Sequence, residues 1–474
     1  MEEKLKYFVD NDCLICENSH LFTQLVEKFY LDIIKFQQKY SYLPKIILNQ
    51  RQPVYFLAGF IAACQAKSPI FLCNPDWGKQ EWLQVFDLVK PDIIWGTEGK
   101  VVEVFSSLNA YINNPNIPFP TAGCVRVIPH SPHIMIPTGG SGGKIKFAVH
   151  TWDTLMASVR GFQEYFQIYK INSFCVLPLY HVSGLMQFMR CIITGGKLVI
   201  SSFKMLESGQ KYNIKNLDII NLNFFISLVP TQLERLLQKS DLTDWLGKFE
   251  TVLLGGAPAW DELLQKARFN NLRLAPTYGM TETASQIATL KPEDFLRGKI
   301  GCGKVLPHAQ VQILEEKKGI IQTNKVGRIK IQAKSLALCY YPLNNIIQTC
   351  LQIDDLACFD EQGYLNIVGR NSDKIITGGE NVYPAEIEAA IRTTQMVADV
   401  CVIGLADKHW GQIVTAIYVP EKSGILNLEI QALLKEKLSN YKIPKIWISV
   451  ASLPRNSQGK INRQQLYEIA VAYV

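Results

Sequence analysis

A glycine-rich stretch in the first third of the chain has residue types that could bind an anion. After an apolar run at 134–136 the sequence reads Pro-Thr-Gly-Gly-Ser-Gly-Gly-Lys-Ile-Lys-Phe. Glycines let successive backbone N–H groups turn toward one point, and hydroxyl and ammonium groups add hydrogen bonds and charge for a phosphate. The spacing differs from a Walker A loop, in which Gly-Lys-Ser/Thr leads into a helix. The stretch predicts a phosphate-binding loop after a buried strand, and an ordinary surface loop is the alternative.

Small polar clusters follow four of the later apolar runs. Each run has the composition of a buried strand, and open α/β sheets bind ligands at the carboxyl ends of their strands. A single histidine in such a place is more often structural than catalytic, but four clusters together favour a ligand site. The candidate residues are His181 and Ser183; Ser227; Gly255, Gly256 and Ala257; and Tyr278, Gly279, Thr281 and Glu282.

The elements around these clusters alternate between strand and helix. Apolar residues recur at helical spacing in the longer segments, and the short apolar runs between them are typical of buried strands. This alternation predicts an α/β fold, with stacked, mostly parallel sheets flanked by helices in a large N-terminal domain. Helices are predicted at 21–38, 55–64, 155–169 and 185–193, and strands at 46–48, 70–72, 93–95, 174–177, 197–200, 224–228 and 251–254.

A second, smaller domain is predicted at the carboxyl end. The polar segment 369–373 joins two predicted strands, and short strands and helices follow it to the end of the chain. We therefore divide the chain into a large domain at 1–370 and a small, mobile α+β domain at 371–474, with a hinge at about 370–373. The small domain ends with a polar loop that contains one lysine, Lys460.

The composition indicates a folded protein without a nucleic-acid or membrane partner. Of 474 residues 48% are hydrophobic and 19% charged, a balance that disordered chains lack. The 49 basic and 42 acidic residues give a net charge of +7, and no block of like charges is present. The first residues are partly acidic and the longest apolar run, 54–64, is too short to span a bilayer. We expect a cytoplasmic protein.

The cysteines do not predict a metal site. Twelve are present, but only Cys13 and Cys16 form a CxxC pair, and with His20 they still lack the fourth ligand of a structural zinc site. Scattered cysteines in a reducing compartment are expected to act as small core residues.

In their order and spacing, the motifs resemble those of the adenylate-forming superfamily, which includes acyl-CoA synthetases, luciferases and peptide-synthetase adenylation domains. The resemblance extends from about residue 134 to residue 463, and no single motif carries it. The matching segments are 138–147, 178–184, 255–258, Tyr-Gly-Met-Thr-Glu at 278–282, Asp355, 369–373, Gly-Gly-Glu-Asn-Val-Tyr-Pro-Ala-Glu at 378–386, and the lysine loop 456–460.

The resemblance implies an AMP-forming ligase that uses ATP, CoA and Mg²⁺. It assigns catalytic roles to Lys460, His181 and Thr281, and metal binding to Glu282. It leaves Lys144 as an alternative to Lys146, and Asp354 as an alternative to Asp355. The implied ATP-binding residues are Thr138, Gly139, Gly140, Ser141, Gly142, Gly143, Lys146, Gly256, Ala257, Tyr278, Thr281, Asp355 and Arg370. The implied residues for the acyl substrate are His181, Ser183, Arg190, Ser227, Gly255 and Gly279.

Within the superfamily, the segments around His181 and Ser227 look most like those of the ligases that join 2-succinylbenzoate to CoA in menaquinone and phylloquinone biosynthesis. In those ligases an arginine at the position of Arg190 lies beside the substrate, whose second carboxylate would be costly to bury without a fixed cation. An ion-paired or surface arginine is the alternative for Arg190.

Three functional hypotheses are compatible with the sequence. Besides the 2-succinylbenzoate ligase, the chain could be another acyl- or aryl-CoA synthetase or a stand-alone adenylation enzyme, or a non-catalytic protein that kept the fold. A non-catalytic scaffold has no need of Glu282, Asp355, Arg370 and Lys460 together. The oligomeric state, a homo-oligomer included, is left open.

Overall fold

The computed structural model describes residues 2–96, 133–139, 145–208, 223–315, 319–320, 323–342, 345–346, 349–378, 380–422, 424, 426–435, 437–455 and 461–474. The helices, in chain order, are α1 (Glu2–Asp10), α2 (Phe22–Tyr40), α3 (Pro53–Gln65), α4 (Lys79–Leu88), α5 (Trp152–Phe166), α6 (Val182–Thr194), α7 (Phe203–Glu207), α8 (Pro230–Leu236), α9 (Ser240–Leu246), α10 (Asp261–Phe269), α11 (Pro292–Leu296), α12 (Pro384–Arg392), α13 (Asn427–Lys435) and α14 (Arg463–Tyr473).

The strands, in chain order, are β1 (Leu14–Ile15), β2 (Ile46–Leu48), β3 (Ile70–Leu72), β4 (Ile93–Trp95), β5 (Ile134–Gly139), β6 (Ile145–His150), β7 (Asn172–Cys175), β8 (Leu198–Ile200), β9 (Phe224–Leu228), β10 (Thr251–Leu254), β11 (Leu274–Met280), β12 (Ser285–Thr289), β13 (Lys304–Val305), β14 (Ala309–Glu315), β15 (Gly319–Ile320), β16 (Gly327–Ala333), β17 (Cys339–Tyr341), β18 (Asn345–Ile346), β19 (Leu351–Phe359), β20 (Leu365–Arg370), β21 (Ile375–Thr377), β22 (Glu380–Val382), β23 (Val397–Asp407), β24 (Gly411–Pro420) and β25 (Ile446–Ser449).

Two large sheets carry most of the parallel strands. One has eight strands in the order β1-β8-β7-β9-β10-β11-β12-β13, and from β1 to β11 its neighbours run parallel. The other has seven strands in the order β18-β17-β6-β5-β3-β2-β4, in which β2 to β5 are parallel and β6, β17 and β18 are antiparallel additions. Helices α2, α3 and α6 contribute to one hydrophobic core that also contains strand residues of both sheets.

Helices α3 and α6 are enclosed by other elements of the large core. Residues 56–64 of α3 and 184–193 of α6 are buried on every face, as in a helix enclosed by other elements rather than lying on a surface. Pro53 begins α3 at a position where a missing backbone N–H costs nothing. Because only residues 176–181 separate β7 from α6, His181, the N-cap residue of α6, follows the carboxyl end of a strand of the eight-stranded sheet.

Two smaller sheets follow in the second half of the chain. An antiparallel sheet has the order β15-β14-β16-β19-β20, and the sequence interpretation had not predicted it. A mixed sheet near the carboxyl end has the order β22-β21-β24-β23 with β25 beside β24, and α12 and α13 share its core. In the described part of the chain, no helix is both long and apolar enough to cross a membrane.

Candidate active site

The carboxyl ends of four parallel strands bring the predicted clusters to one edge of the eight-stranded sheet. Strands β7, β9, β10 and β11 are neighbours with registers such as Val252 opposite Leu274 and Thr251 opposite Phe225. The segments that follow them contain His181 and Ser183, Gly255 to Ala257, and Thr281 with Glu282, and Ser227 lies near the end of β9.

The hairpin of β11 and β12 is the centre of this edge. The two strands are antiparallel, and a short 3₁₀ turn, Thr281–Thr283, joins them. A Cβ atom on Gly279 would lie 2.2 Å from the carbonyl oxygen of Ser285, so no larger residue fits without moving β12. Similarly, a Cβ on Gly255 would lie 2.6 Å from Oγ1 of Thr277. The two glycines therefore permit close packing at the hairpin.

Three predicted residues meet at one end of β11. The hydroxyl of Tyr278 donates to Oδ2 of Asp355 at 2.5 Å, and Nε of Arg370 lies 3.1 Å from Oδ1 of the same carboxylate. Asp355 and Arg370 are register partners in β19 and β20. Burial, and then the charge and hydrogen bond of Asp355, raise the pKa of Tyr278, so the phenol stays protonated and remains a donor. An aromatic ring beside a carboxylate and a guanidinium is suited to a nucleoside.

The alternative candidate Asp354 has a different environment. Its Oδ2 accepts the backbone N–H of Ser372 at 2.7 Å, and its carbonyl accepts the N–H of Asn371. Burial acts to raise the pKa of Asp354, but the hydrogen bonds from Ser372 and Asn371 outweigh it and the pKa is lowered. Asp354 thus holds the segment after β20, whereas Asp355 faces Tyr278.

A second group forms around Glu282 at the turn of the hairpin. Glu282 is buried, and its Oε1 accepts a hydrogen bond of 2.7 Å from the hydroxyl of Tyr340 on β17. Nζ of Lys146 lies 5.6 Å from the centroid of the Tyr340 ring, within the range of a cation–π interaction. Lys146 pairs with Thr138 across β5 and β6, at the base of the glycine-rich stretch.

The carboxylate of Glu282 fits a magnesium ion bound together with a nucleotide. Among the described residues, no group donates a hydrogen bond to its Oε2. The described part of the chain also contains no cluster of three or more His, Cys, Asp or Glu side chains that could hold a metal ion. Mg²⁺ commonly takes one or two protein carboxylates and completes its octahedral shell with water and substrate phosphates. The donor set is therefore consistent with Mg²⁺ that arrives with ATP.

Thr281 is held by a residue that the sequence interpretation missed. Nε2 of the buried His150 lies 2.8 Å from the carbonyl oxygen of Thr281, and Nδ1 lies 3.0 Å from Oγ1 of Thr154. Burial lowers the pKa of His150 to about 4, so the ring is neutral at pH 7. Because a carbonyl only accepts, Nε2 carries the proton, and the unprotonated Nδ1 competes with the Thr151 carbonyl for the one hydroxyl proton of Thr154.

Arg190 is a buried cation held by neutral groups. It is 2% exposed, its Nη2 lies 2.7 Å from Oε1 of Gln286 and 3.2 Å from Oγ of Ser285, and its guanidinium lies over the Phe162 ring at 4.2 Å. Its Nε is buried without a hydrogen-bond partner in the described part of the chain. Burial lowers the pKa of Arg190 to about 10, which still leaves it charged at pH 7. A buried charge without a counterion favours an anionic ligand.

The remaining predicted residues have weaker structural links to these groups. His181 caps the start of α6 and its ring lies 4.5 Å from that of Tyr180, while Ser183 and Ser227 are half-buried. Gly256 has a positive φ of 82°, which suits glycine, and Ala257 follows it. Gly139 ends β5. Gly140, Ser141, Gly142, Gly143, Lys144 and Lys460 lie outside the described residues.

Several contacts at this site had no signal in the sequence. Tyr340 lies 58 residues from Glu282, and His150 lies 131 residues from Thr281. Neither lies in one of the motifs on which the resemblance was based. The pair Tyr340-Tyr341 between apolar residues could have predicted a strand, but the partner of the Tyr340 hydroxyl is decided by the pairing of β17 with β6.

Two family models match large parts of the chain. Residues 54–341 match the model of the AMP-binding enzyme family, and residues 386–460 match that of the AMP-binding enzyme C-terminal domain. The chain belongs to the AMP-binding enzyme family. The prediction of an adenylate-forming enzyme is confirmed.

Individual relatives of this AMP-binding enzyme include 2-succinylbenzoate–CoA ligases. That of Listeria monocytogenes serovar 1/2a is 35% identical over 352 residues, which cover 70% of this chain and 68% of the relative. The o-succinylbenzoate CoA synthetase of Bacillus subtilis in complex with ATP and magnesium ion is 26% identical, with a TM-score of 0.73 over 89% of this chain and 88% of that one.

A further structure of the Bacillus subtilis synthetase, in complex with the acyl-adenylate intermediate, has a TM-score of 0.78 and covers 96% of this chain and 94% of that one, at 24% identity. This likeness concerns the fold. The predicted fold class, an α/β protein with large parallel-rich sheets and a carboxyl-terminal α+β part, is confirmed.

Proposed function

We propose that this enzyme joins 2-succinylbenzoate to CoA at the expense of ATP, with release of AMP and pyrophosphate, as a step in menaquinone or phylloquinone biosynthesis in the cytoplasm. The AMP-forming ligase chemistry follows from family membership and from the similarity to 2-succinylbenzoate–CoA ligases. The observation that carries the choice of acid is the buried Arg190, whose described partners are all neutral.

The dicarboxylate explains the environment of Arg190. One carboxylate of 2-succinylbenzoate must be free to react, so the other must be bound elsewhere. A buried guanidinium whose Nε has no hydrogen-bond partner among the described residues supplies a charge and a donor for it. Gln286 and Ser285 hold Nη2 and so fix the orientation of the group. His181, Ser183, Ser227, Gly255 and Gly279 would line the path between this anchor and the nucleotide.

ATP would lie along the β11–β12 hairpin. Tyr278 would stack on the adenine, with Gly256 and Ala257 at its edge, and Asp355 would accept the ribose hydroxyls with Arg370 beside it. Thr281 would contact the α-phosphate. Thr138, Gly139 to Gly143 and Lys146 would hold the outer phosphates. Glu282 would hold Mg²⁺, and the ion, when bound, offsets the charge that builds up on the phosphates.

The first half-reaction forms an acyl-adenylate. The carboxylate is already a nucleophile and attacks the α-phosphorus of ATP, so no general base is required, and pyrophosphate leaves. The protein therefore supplies alignment and positive charge. Lys460 is assigned to bridge the attacking carboxylate and the α-phosphate.

The second half-reaction transfers the acyl group to sulfur. The CoA thiol attacks the acyl carbonyl, its proton is lost to solvent or a base, and AMP leaves. Because Lys460 occupies the site in the first half, we assign residues 371–474 to a small domain that rotates about a hinge at 370–373. A hydrogen bond from the Ser372 N–H to Asp354 joins the proposed hinge segment to β19.

The function is tested by measuring pyrophosphate release and thioester formation with Mg-ATP, CoA and a panel of acids: 2-succinylbenzoate, benzoate, a medium-chain fatty acid and an amino-acid mixture. We expect a kcat/KM for 2-succinylbenzoate at least about 100-fold above that of the other acids, since a desolvated ion pair contributes about 3 kcal/mol. A preference for another acid would retain the chemistry and reject the assignment of Arg190. Absence of turnover with every acid would favour a non-catalytic protein.

The Lys460→Ala variant tests the role assigned to Lys460 in the same assay. It should release no pyrophosphate from ATP and 2-succinylbenzoate, yet form thioester from CoA and a supplied acyl-adenylate. Equal loss of both half-reactions would contradict the role assigned to Lys460.

A further inference from the structure

The contacts of Tyr340 link two groups of opposite charge. Its hydroxyl donates to Oε1 of Glu282 at 2.7 Å, and its ring lies 5.6 Å below Nζ of Lys146. Tyr340 is on β17 opposite Ala148 of β6, so its backbone is fixed to the strand that carries Lys146. A second hydrogen bond joins the same segment to the β11–β12 hairpin: the N–H of Ala337 donates to the carbonyl oxygen of Glu282 at 2.8 Å.

This arrangement matters because a carboxylate and an ammonium group near one triphosphate attract each other. A direct Lys146–Glu282 ion pair would remove the lysine from the phosphates and the carboxylate from the metal. The Tyr340 ring attracts the ammonium by its face, while its hydroxyl occupies one carboxylate oxygen.

We propose that Tyr340 is a positioning residue for the magnesium–ATP site. Its hydroxyl holds Glu282 in place for the metal, and its ring holds Lys146 in place for the phosphates. The inference rests on the proposed function, in which Glu282 and Lys146 serve Mg-ATP. It assigns separate tasks to the two parts of one side chain, so two substitutions can separate them.

The experiment measures binding rather than turnover, on the full chain. Mn²⁺ replaces Mg²⁺ as a paramagnetic probe, and its Kd is measured by electron paramagnetic resonance at saturating ATP without acid or CoA. The Kd of ATP alone is measured by calorimetry in the presence of EDTA. The variants are Tyr340→Phe, which keeps the ring, and Tyr340→Leu, which removes it.

We expect Tyr340→Phe to raise the Kd of Mn²⁺ about tenfold, the effect of losing a hydrogen bond to a charged group, and to leave the Kd of metal-free ATP unchanged. Tyr340→Leu should raise both, the second by about threefold, which is the size of a lost cation–π contact. A Kd of Mn²⁺ within twofold of the wild-type value in Tyr340→Phe would overturn the proposal.

Two controls separate positioning from general damage. Tyr341→Phe removes a hydroxyl from the neighbouring residue, whose ring packs on Phe71 on the opposite face of the strand, and it should leave both constants unchanged. In a Glu282→Gln background, Tyr340→Phe should have no further effect on Mn²⁺. If Glu282→Gln itself leaves Mn²⁺ binding intact, the metal assignment fails and the inference fails with it, whatever acid the enzyme uses.

Discussion

Arg190 shows how much a single residue decides. Its guanidinium is buried among Phe162, Ser285 and Gln286, none of which is charged. A buried cation without a counterion is unfavourable in the absence of ligand, and that cost is relieved when an anion binds. Under the proposed function, this residue would favour acids with a second carboxylate over acids with one.

The Arg190→Ala variant should lose affinity for the acid but not for ATP. We expect the KM for 2-succinylbenzoate to rise roughly 10- to 100-fold, because a hydrogen bond to a charged group contributes about 1.5–3 kcal/mol, while the KM for ATP stays within about twofold. Steady-state kinetics with each substrate varied in turn would measure both. Arg160→Ala, on the exposed side of α5, is the matched control and should change neither constant. An unchanged KM for the acid would mean that Arg190 is structural.

At the scale of elements, the β11–β12 hairpin connects the described parts of the candidate site. Within nine residues, 278–286, it contributes a partner to the Asp355 carboxylate, to Tyr340, to His150 and to Arg190. A shift of one strand against the other would disturb nucleotide, metal and acid binding together. Gly279 is the residue that permits the close approach.

Gly279→Ala should therefore affect the whole site. The new Cβ would lie 2.2 Å from the Ser285 carbonyl oxygen, so β12 must move. We expect the free energy of unfolding to fall by about 1–3 kcal/mol, as for other overpacked positions, and the KM values for ATP and for the acid to rise together. Urea unfolding and steady-state kinetics would measure this. Gly247→Ala, where the nearest atom is 3.4 Å away, should be neutral in both, and selective loss of ATP binding alone would contradict the account.

At the scale of the whole molecule, buried neutral histidines make stability depend on pH. Burial lowers the pKa of His150 to about 4, and burial together with the Arg190 charge lowers that of His308 to about 4. In the unfolded chain each would titrate near its ordinary value of 6.5. Between pH 6.5 and pH 4 the unfolded state binds protons that the folded state does not, so stability is present above pH 6.5 and is lost as the pH falls.

We expect each of these two histidines to reduce the free energy of unfolding by about 2 kcal/mol between pH 7 and pH 5. Urea unfolding at both pH values would measure it. His150→Gln should lower stability at pH 7 but shrink the difference between pH 7 and pH 5 by about 2 kcal/mol. His409→Gln, an exposed position, should leave that difference unchanged. A difference that His150→Gln does not alter would contradict the neutral buried state.

The sequence alone determined the features that depend on neighbours along the chain. The strand–helix alternation predicted the parallel-rich sheets, because periodicity reports which faces are buried. The motif at 278–282, together with Asp355 and Arg370, indicated the family, since the spacing of residues along the chain does not depend on how the elements pack. Strand β6 was missed because its residues had been interpreted as part of the loop.

Only the tertiary structure decided which of these residues touch. Tyr278 and Asp355 are 77 residues apart, and Glu282 and Tyr340 are 58 apart, distances over which no local pattern carries information. It also gave the two neighbouring carboxylates different partners, since the strand alternation turns Asp355 toward Tyr278 and leaves Asp354 with Ser372. Likewise, packing gives the buried Arg190 only neutral partners among the described residues, because the number and charge of a side chain's neighbours are properties of packing.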